Sequence, residues 1–166
     1  MFNSPNAFWA FERSVTRSTR FIFDEHTRSF LDAVVATSKS RLRILRSGHV
    51  LYRAQLGETT RDDEEYGVRI PEAYLPSRMT PLIDRAVEGR INPKGIPYLY
   101  LSFDPNTSMA ELRPWVGARI SLGEFVVSAD CTILDCSLDA TNLACMEIDD
   151  ASALSAEDRE AAVWGK

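Results

Sequence analysis

Cysteine is scarce in this chain, with three in 166 residues, and Cys131, Cys136 and Cys145 never fall at C-x-x-C spacing. An odd number without that spacing excludes the usual signature of a zinc site or of a secreted disulfide framework. The three are expected to be reduced and mostly structural, in a cytoplasmic protein. Histidine is scarcer still. His26 and His49 lie far apart, neither with a cysteine or carboxylate at ligand spacing, so no metal is expected. No apolar run approaches the length of a membrane-spanning helix, and "MFNSPNAFWAFERSVTRSTR" sets arginines where a signal peptide needs an apolar core. There is no G-x-G-x-x-G, Walker loop or G-x-S-x-G, and no internal repeat or low-complexity tract.

What is present is the composition of one soluble globular domain, 45% apolar and 26% charged, able to bury a core without disulfides or a structural metal. A net charge of -5 argues against a nucleic-acid partner. The charge is uneven, however. Arg13, Arg17, Arg20, Arg28, Lys39, Arg41, Arg43 and Arg46 make the first fifty residues basic, yet they are spread around their helices rather than aligned.

Ser4-Pro5 predicts a helix start, with Ala7, Phe8, Phe11 and Val15 on one face. A second helix is expected from near Asp24, with the stripe Phe30, Leu31, Val34 and Val35, ending in Lys39 and Arg41, whose charge suits a helix C-terminus. Residues 1–47 are thus expected to form a helical extension, which packs on the rest or on a second copy of the chain. Residues 48–166 follow as the main domain. "HVLYRAQLG" alternates as a strand, whereas residues 58–89 lose all pattern and predict a long loop over a cleft. "PYLYLSF" predicts a strand over 97–103. Asp104-Pro105 then caps a short helix ending near Arg113. "ARISLGEFVVSADCTILDCS" predicts two or three strands with a turn at Gly123, and "SAED" at 155–158 has the spacing of a capping box.

Four residues are candidates for chemistry. Arg90 sits in "GRINPKG", where glycines and a proline fix the backbone; it is either a surface ion pair or a rigid fork for phosphate or carboxylate. Arg53 lies mid-strand among apolar residues, on a solvated edge or lining a pocket. Tyr98 and Tyr100 share one side of their strand, which matters for Tyr100 only if that face looks into a cleft. Glu111, in the second turn of the short helix, is either exposed and inert or turned back toward the tyrosines as a catalytic carboxylate. Ser102 and Lys94 are weaker candidates.

"LYRAQ" at 51–55, "EGRINPKGIPYLYLS" at 88–102 and "MAELRPW" at 109–115 together resemble the RES domain family over about residues 48 to 138. The family pattern is an arginine in an early strand, a G-R-x-N-x-x-G loop, a tyrosine near a strand end and a glutamate in the helix that follows. The resemblance implies an α/β (α+β) fold, a small twisted mixed sheet like that of ADP-ribosyltransferase toxins. It also implies an enzyme that consumes NAD+ as substrate, as a glycohydrolase or phosphorylase, with inorganic phosphate a possible acceptor and no metal. Many members are toxins paired with an antitoxin protein. Carried over residue by residue, Arg53 and Arg90 match the family's arginines, which bind the nucleotide, Tyr100 its tyrosine and Glu111 its glutamate. Glu111, Arg90 and Tyr100 are then the expected catalytic residues, and Arg53, Arg90 and Tyr100 the expected NAD+-binding ones.

One departure concerns the family's serine, which belongs in a later segment after a glycine-containing turn with an aromatic residue. Ser152 and Ser155 are the candidates here and neither has that context. The domain is therefore expected to be incomplete at its C-terminal end. The alternatives are a non-catalytic remnant that binds NAD+ or a partner, and a protein ADP-ribosyltransferase.

Overall fold

The structure, a computed structural model, describes residues 1–18, 21–82, 85–138 and 154–165. Cys145 and Ser152 lie outside the described residues. In chain order the elements are α1 (Ala7–Arg17), α2 (Glu25–Ser38), a 3-10 turn (Lys39–Arg41), β1 (Leu42–Leu45), β2 (Val50–Leu56), β3 (Thr59–Asp63), β4 (Val68–Glu72), α3 (Pro76–Met79), α4 (Pro105–Ala110), β5 (Ile120–Val126), β6 (Cys131–Leu134) and α5 (Ala156–Trp164). This is an α+β fold. The strands are not joined in one mixed sheet: among the described residues they form three antiparallel pairs, β1 with β6, β2 with β5 and β3 with β4. The chain divides into two compact units, residues 1–45 with 131–166, and residues 46–130.

In the first unit the predicted helices form, with shifted details. Helix α1 begins at Ala7 rather than Pro5, because Ser4 closes a turn, its carbonyl accepting from the Ala7 N–H and its hydroxyl from Asn6. Helix α2 starts as expected, the Asp24 carboxylate accepting from the Thr27 N–H at 2.7 Å. Its buried stripe is Thr27, Phe30 and Ala33, with Leu31 and Val34 partly covered, while Val35 is 64% exposed. Phe30 stacks on Phe11 at 4.6 Å and tilts against Phe2 at 5.5 Å. Val163 of α5 joins this core. The neighbouring Trp164 donates from Nε1 to the Thr37 hydroxyl and lies under the Arg41 guanidinium at 4.6 Å. Helix α5 is capped by Ser155, whose hydroxyl accepts from the Asp158 N–H, so Ser155 serves as a helix cap. Cys131 and Cys136 are free thiols, exposed rather than packed in a core.

In the second unit, β2 and β5 pair in a seven-residue register that sets Arg53 opposite Gly123. Gly123 is therefore not a turn. A Cβ there would press on the Met79 side chain, 3.1 Å from its Cε, so the glycine makes room for Met79 over the sheet. Residues 58–89 are only partly a loop. Residues 59–72 form the β3–β4 hairpin, closed by Asp63, whose carboxylate accepts from the Glu65 and Tyr66 N–H groups, and by Gly67 at φ +62°. That hairpin is charged and largely exposed on both faces, so it carries no alternation to read.

The predicted 97–103 strand is reduced to one bridge, Ser102 with Tyr52, through two 2.8 Å bonds. Pro97 has no N–H to give a ladder, the Ile96 carbonyl is taken by a side chain, and among the described residues no other strand runs beside 97–101. Helix α4 keeps its predicted cap, Asp104 accepting from the Thr107 N–H, but ends at Ala110. The two ends of this unit meet: Arg46 pairs with Asp130 at 2.6 Å, the Ser47 N–H donates to the same carboxylate, and Gly48 and His49 bond to Val127.

Candidate functional site

Strand alternation puts Arg53 and Gln55 on the same face of β2, and the single turn of α3 lies over that face. Arg53 donates from Nη1 to the Met79 carbonyl at 2.9 Å, and Arg78 donates to the Gln55 Oε1 at 2.7 Å. Arg78 is also held from behind, its guanidinium 5.1 Å from the centre of the Tyr74 ring. Tyr74 in turn is fixed by its N–H to the Ser121 hydroxyl, a buried group that donates to the Gly57 carbonyl.

Beside this face opens a cavity of about 250 Å³, lined by Arg53, Arg78, Arg85, Tyr98 and Tyr100, by parts of segment 80–89, and by Asn92 and Pro97. The basicity of Arg53 is lowered, first by its removal from water and second by repulsion from Arg78. Both costs fall when an anion enters the cavity, since a negative charge replaces lost hydration and screens one guanidinium from the other. Three arginine forks line the cavity, Arg53 partly buried and Arg78 and Arg85 exposed, with the carboxylate of Glu88 also in the lining, and such forks suit a phosphate or carboxylate ligand.

The opposite wall is the loop that contains "GRINPKG". Asn92 ties it together. Its Nδ2 donates to the carbonyls of Val87, Pro93 and Ile96, and its Oδ1 accepts from the Tyr100 hydroxyl at 2.6 Å. The Gly89 N–H donates to the Asn92 carbonyl and the Gly95 N–H to that of Ala86, with Gly95 at φ +90°. A Cβ on Gly89 would meet both the Asn92 Oδ1 and, at 2.5 Å, the Tyr100 hydroxyl. The glycine spacing around Asn92 is thus what lets the loop close on its own side chain.

Of the residues expected from sequence, Arg53 and Tyr100 come together on this cavity, and Tyr98 joins Tyr100 on the same wall. Arg90 is solvent-exposed in the loop, outside the lining. Glu111 is the exposed C-cap residue of α4, also outside the lining. Arg78, Arg85 and Asn92 went unread as site residues. The asparagine of the G-R-x-N-x-x-G pattern was the available signal for Asn92, and the arginines of the patternless segment 58–89 were the signal for the other two. Among the described residues, no group of three His, Cys, Asp or Glu side chains is placed to hold a metal ion, and no helix is long and apolar enough to cross a membrane.

Against known proteins, the family model described as RES domain matches residues 64–164. The match takes in Arg78, Arg85, Arg90, Asn92, Tyr100 and Glu111 and runs through α5, while Arg53 lies ahead of its start. No curated protein and no solved structure matches the chain.

Proposed function

Because this chain belongs to the RES domain family, which is associated with NAD-related toxin activity, we propose that it consumes NAD+ by cleaving the bond between nicotinamide and ribose. The observation that carries this reading is the cavity on which Arg53 and Tyr100 converge, with Arg78 and Arg85 beside them. In the proposed reaction the C1′–N bond breaks with its electron pair going to the nicotinamide nitrogen. A C1′–O bond then forms from water, which loses a proton, or from inorganic phosphate. Positive charge grows on the ribose between these events, and groups that favour that charge more in the transition state than in bound NAD+ accelerate the step.

The roles divide by chemistry. The guanidinium of Arg53, with Arg78 and Arg85, takes the pyrophosphate. The ring of Tyr100 lies against the nicotinamide end. Glu111 opposes the growing cation or orients the acceptor, and Arg90 admits the anionic acceptor or a second phosphate oxygen. A cavity of about 250 Å³ is smaller than the range typical of small-molecule sites. A dinucleotide bound there extends beyond the cavity, and the reading requires that Arg90 and Glu111, both exposed, meet the part that extends. An antitoxin-like protein covering the opening, or a second copy of the chain, is the partner this reading implies.

The test is nicotinamide release from NAD+ by the full chain, with and without phosphate. Glu111→Ala and Arg90→Ala are each expected to lower kcat by ~10²-fold to 10³-fold, the usual cost of one transition-state contact. Dependence on phosphate names a phosphorylase, and indifference to it a glycohydrolase. Release that survives Glu111→Ala unchanged would overturn the assignment. The position of Arg90 and Glu111 outside the cavity lining favours one second reading, a chain that binds NAD+ without turning it over. It predicts calorimetric binding with no release.

A further inference from the structure

Asn92 is 5% exposed, and its amide can be oriented in only one sense. The Nδ2 end lies 3.0, 3.3 and 2.9 Å from the carbonyl oxygens of Val87, Pro93 and Ile96. An amide oxygen in that place would face three acceptors without a proton to offer, so the nitrogen belongs there and Oδ1 faces Tyr100. Because Oδ1 can only accept, the Tyr100 hydroxyl 2.6 Å away is the donor. A phenol has one proton and two lone pairs. The Ile91 N–H, at 3.3 Å, takes one of those lone pairs. The hydroxyl is left with one lone pair, on a side chain that lines the cavity.

We propose that Asn92 is a positioning residue which commits the only proton of Tyr100 to the protein. Tyr100 then meets a ligand as a ring face and a hydrogen-bond acceptor, never as a proton donor. Resting on the NAD+ reading of the cavity, this assigns a specificity. The carboxamide of nicotinamide offers N–H groups to the remaining lone pair, whereas a carboxylate in the same place brings only lone pairs of its own. The site therefore selects NAD+ over its nicotinic acid counterpart, and Gly89 serves the same device by leaving the Asn92–Tyr100 bond room to form.

Calorimetric titration of the full chain with NAD+ and with nicotinic acid adenine dinucleotide tests this directly. Wild type is expected to bind NAD+ roughly tenfold more tightly, about the worth of one hydrogen bond, and Tyr100→Phe to narrow that preference. In the reaction, Tyr100→Phe and Asn92→Ala are expected to lower turnover while leaving both limbs of the pH–rate profile in place. Loss of a limb in Tyr100→Phe would make Tyr100 a general acid and overturn the proposal. Equal binding of the two dinucleotides by wild type would overturn the acceptor role alone. Binding of neither would overturn the NAD+ reading and this recognition with it. Nuclear magnetic resonance supplies a check that needs no ligand. The Asn92 side-chain amide protons should exchange slowly and shift in Tyr100→Phe, and a fast-exchanging amide unmoved by that change would rule the pair out.

Discussion

A Cβ on Gly57 would run into the Tyr74 phenol, and the backbone there is at φ +102°, so that glycine is required twice over. Gly57→Ala is expected to destabilise by at least about 1–2 kcal/mol, the scale of a left-handed penalty for an L-residue, as read by urea denaturation. Gly123→Ala should behave differently. The nearest obstacle is the Cε end of Met79, which can swing aside, so a cost within about 1 kcal/mol is expected in the same assay. At the cavity, pyrophosphate is expected to raise the melting temperature of wild type, since a ligand at ten times its Kd adds about 1.4 kcal/mol. Arg53→Ala should lose that gain in differential scanning fluorimetry, because Arg53 is the guanidinium most removed from water by the wall it lines. The same residues show what a sequence can and cannot announce. Arg53 and Tyr100 were legible because strand position and a motif single them out. Arg78 was not, because its place on the wall depends on a one-turn helix folding back over β2, and nothing local encodes that contact; Arg85 was not, because it lies in the patternless segment that follows.

At the scale of elements, local chemistry was read best where a side chain caps a helix. Asp104 and Ser155 hold the N–H groups expected of them, and Asp24, near which α2 was expected to begin, caps that helix in the same way. Ser155→Ala should cost about 1 kcal/mol, visible as earlier fraying of α5. The two aspartates carry a pH signature. Each carboxyl is held below its ordinary value, first by a backbone N–H (Thr27 for Asp24, Thr107 for Asp104) and next by that threonine's side chain. A lowered carboxyl pKa contributes stability that is full above the unfolded value and is lost as pH falls through the folded one. Helix signal in circular dichroism is therefore expected to fall below about pH 4. Replacing both residues with asparagine, which caps as well but does not titrate, should flatten that loss. Strands were read less well, for a physical reason. The β3–β4 hairpin exposes both faces and so shows no alternation, whereas 97–103 alternates properly but, among the described residues, has a strand neighbour only at Ser102. A strand is defined by its partner, and partners lie far away in sequence.

For the whole molecule, the aromatic cluster of the first unit is the feature most open to a single change. Phe30 touches both Phe2 and Phe11, and Phe30→Ala is expected to cost about 3–5 kcal/mol, lowering the melting of that unit in calorimetry. The apolar stripes of α1 and α2 were visible in the sequence. That residues 131–166 cluster with them was not, because Val163 reaches the core from the far end of the chain. The other unit has a different property, set by the carboxylate of Asp130 holding both Arg46 and the Ser47 N–H. Its chain enters and leaves by one doorway. A body of that kind is a cassette. Joined end to end and reopened at the exposed Tyr66–Gly67 tip of the hairpin, residues 46–130 are expected to fold by themselves with the cavity walls in place, which circular dichroism of the permutant checks. Such a circular permutant should keep the cavity's ligand, because the arginines that line it owe their places to pairing across the fold and not to the order in which the ribosome made them.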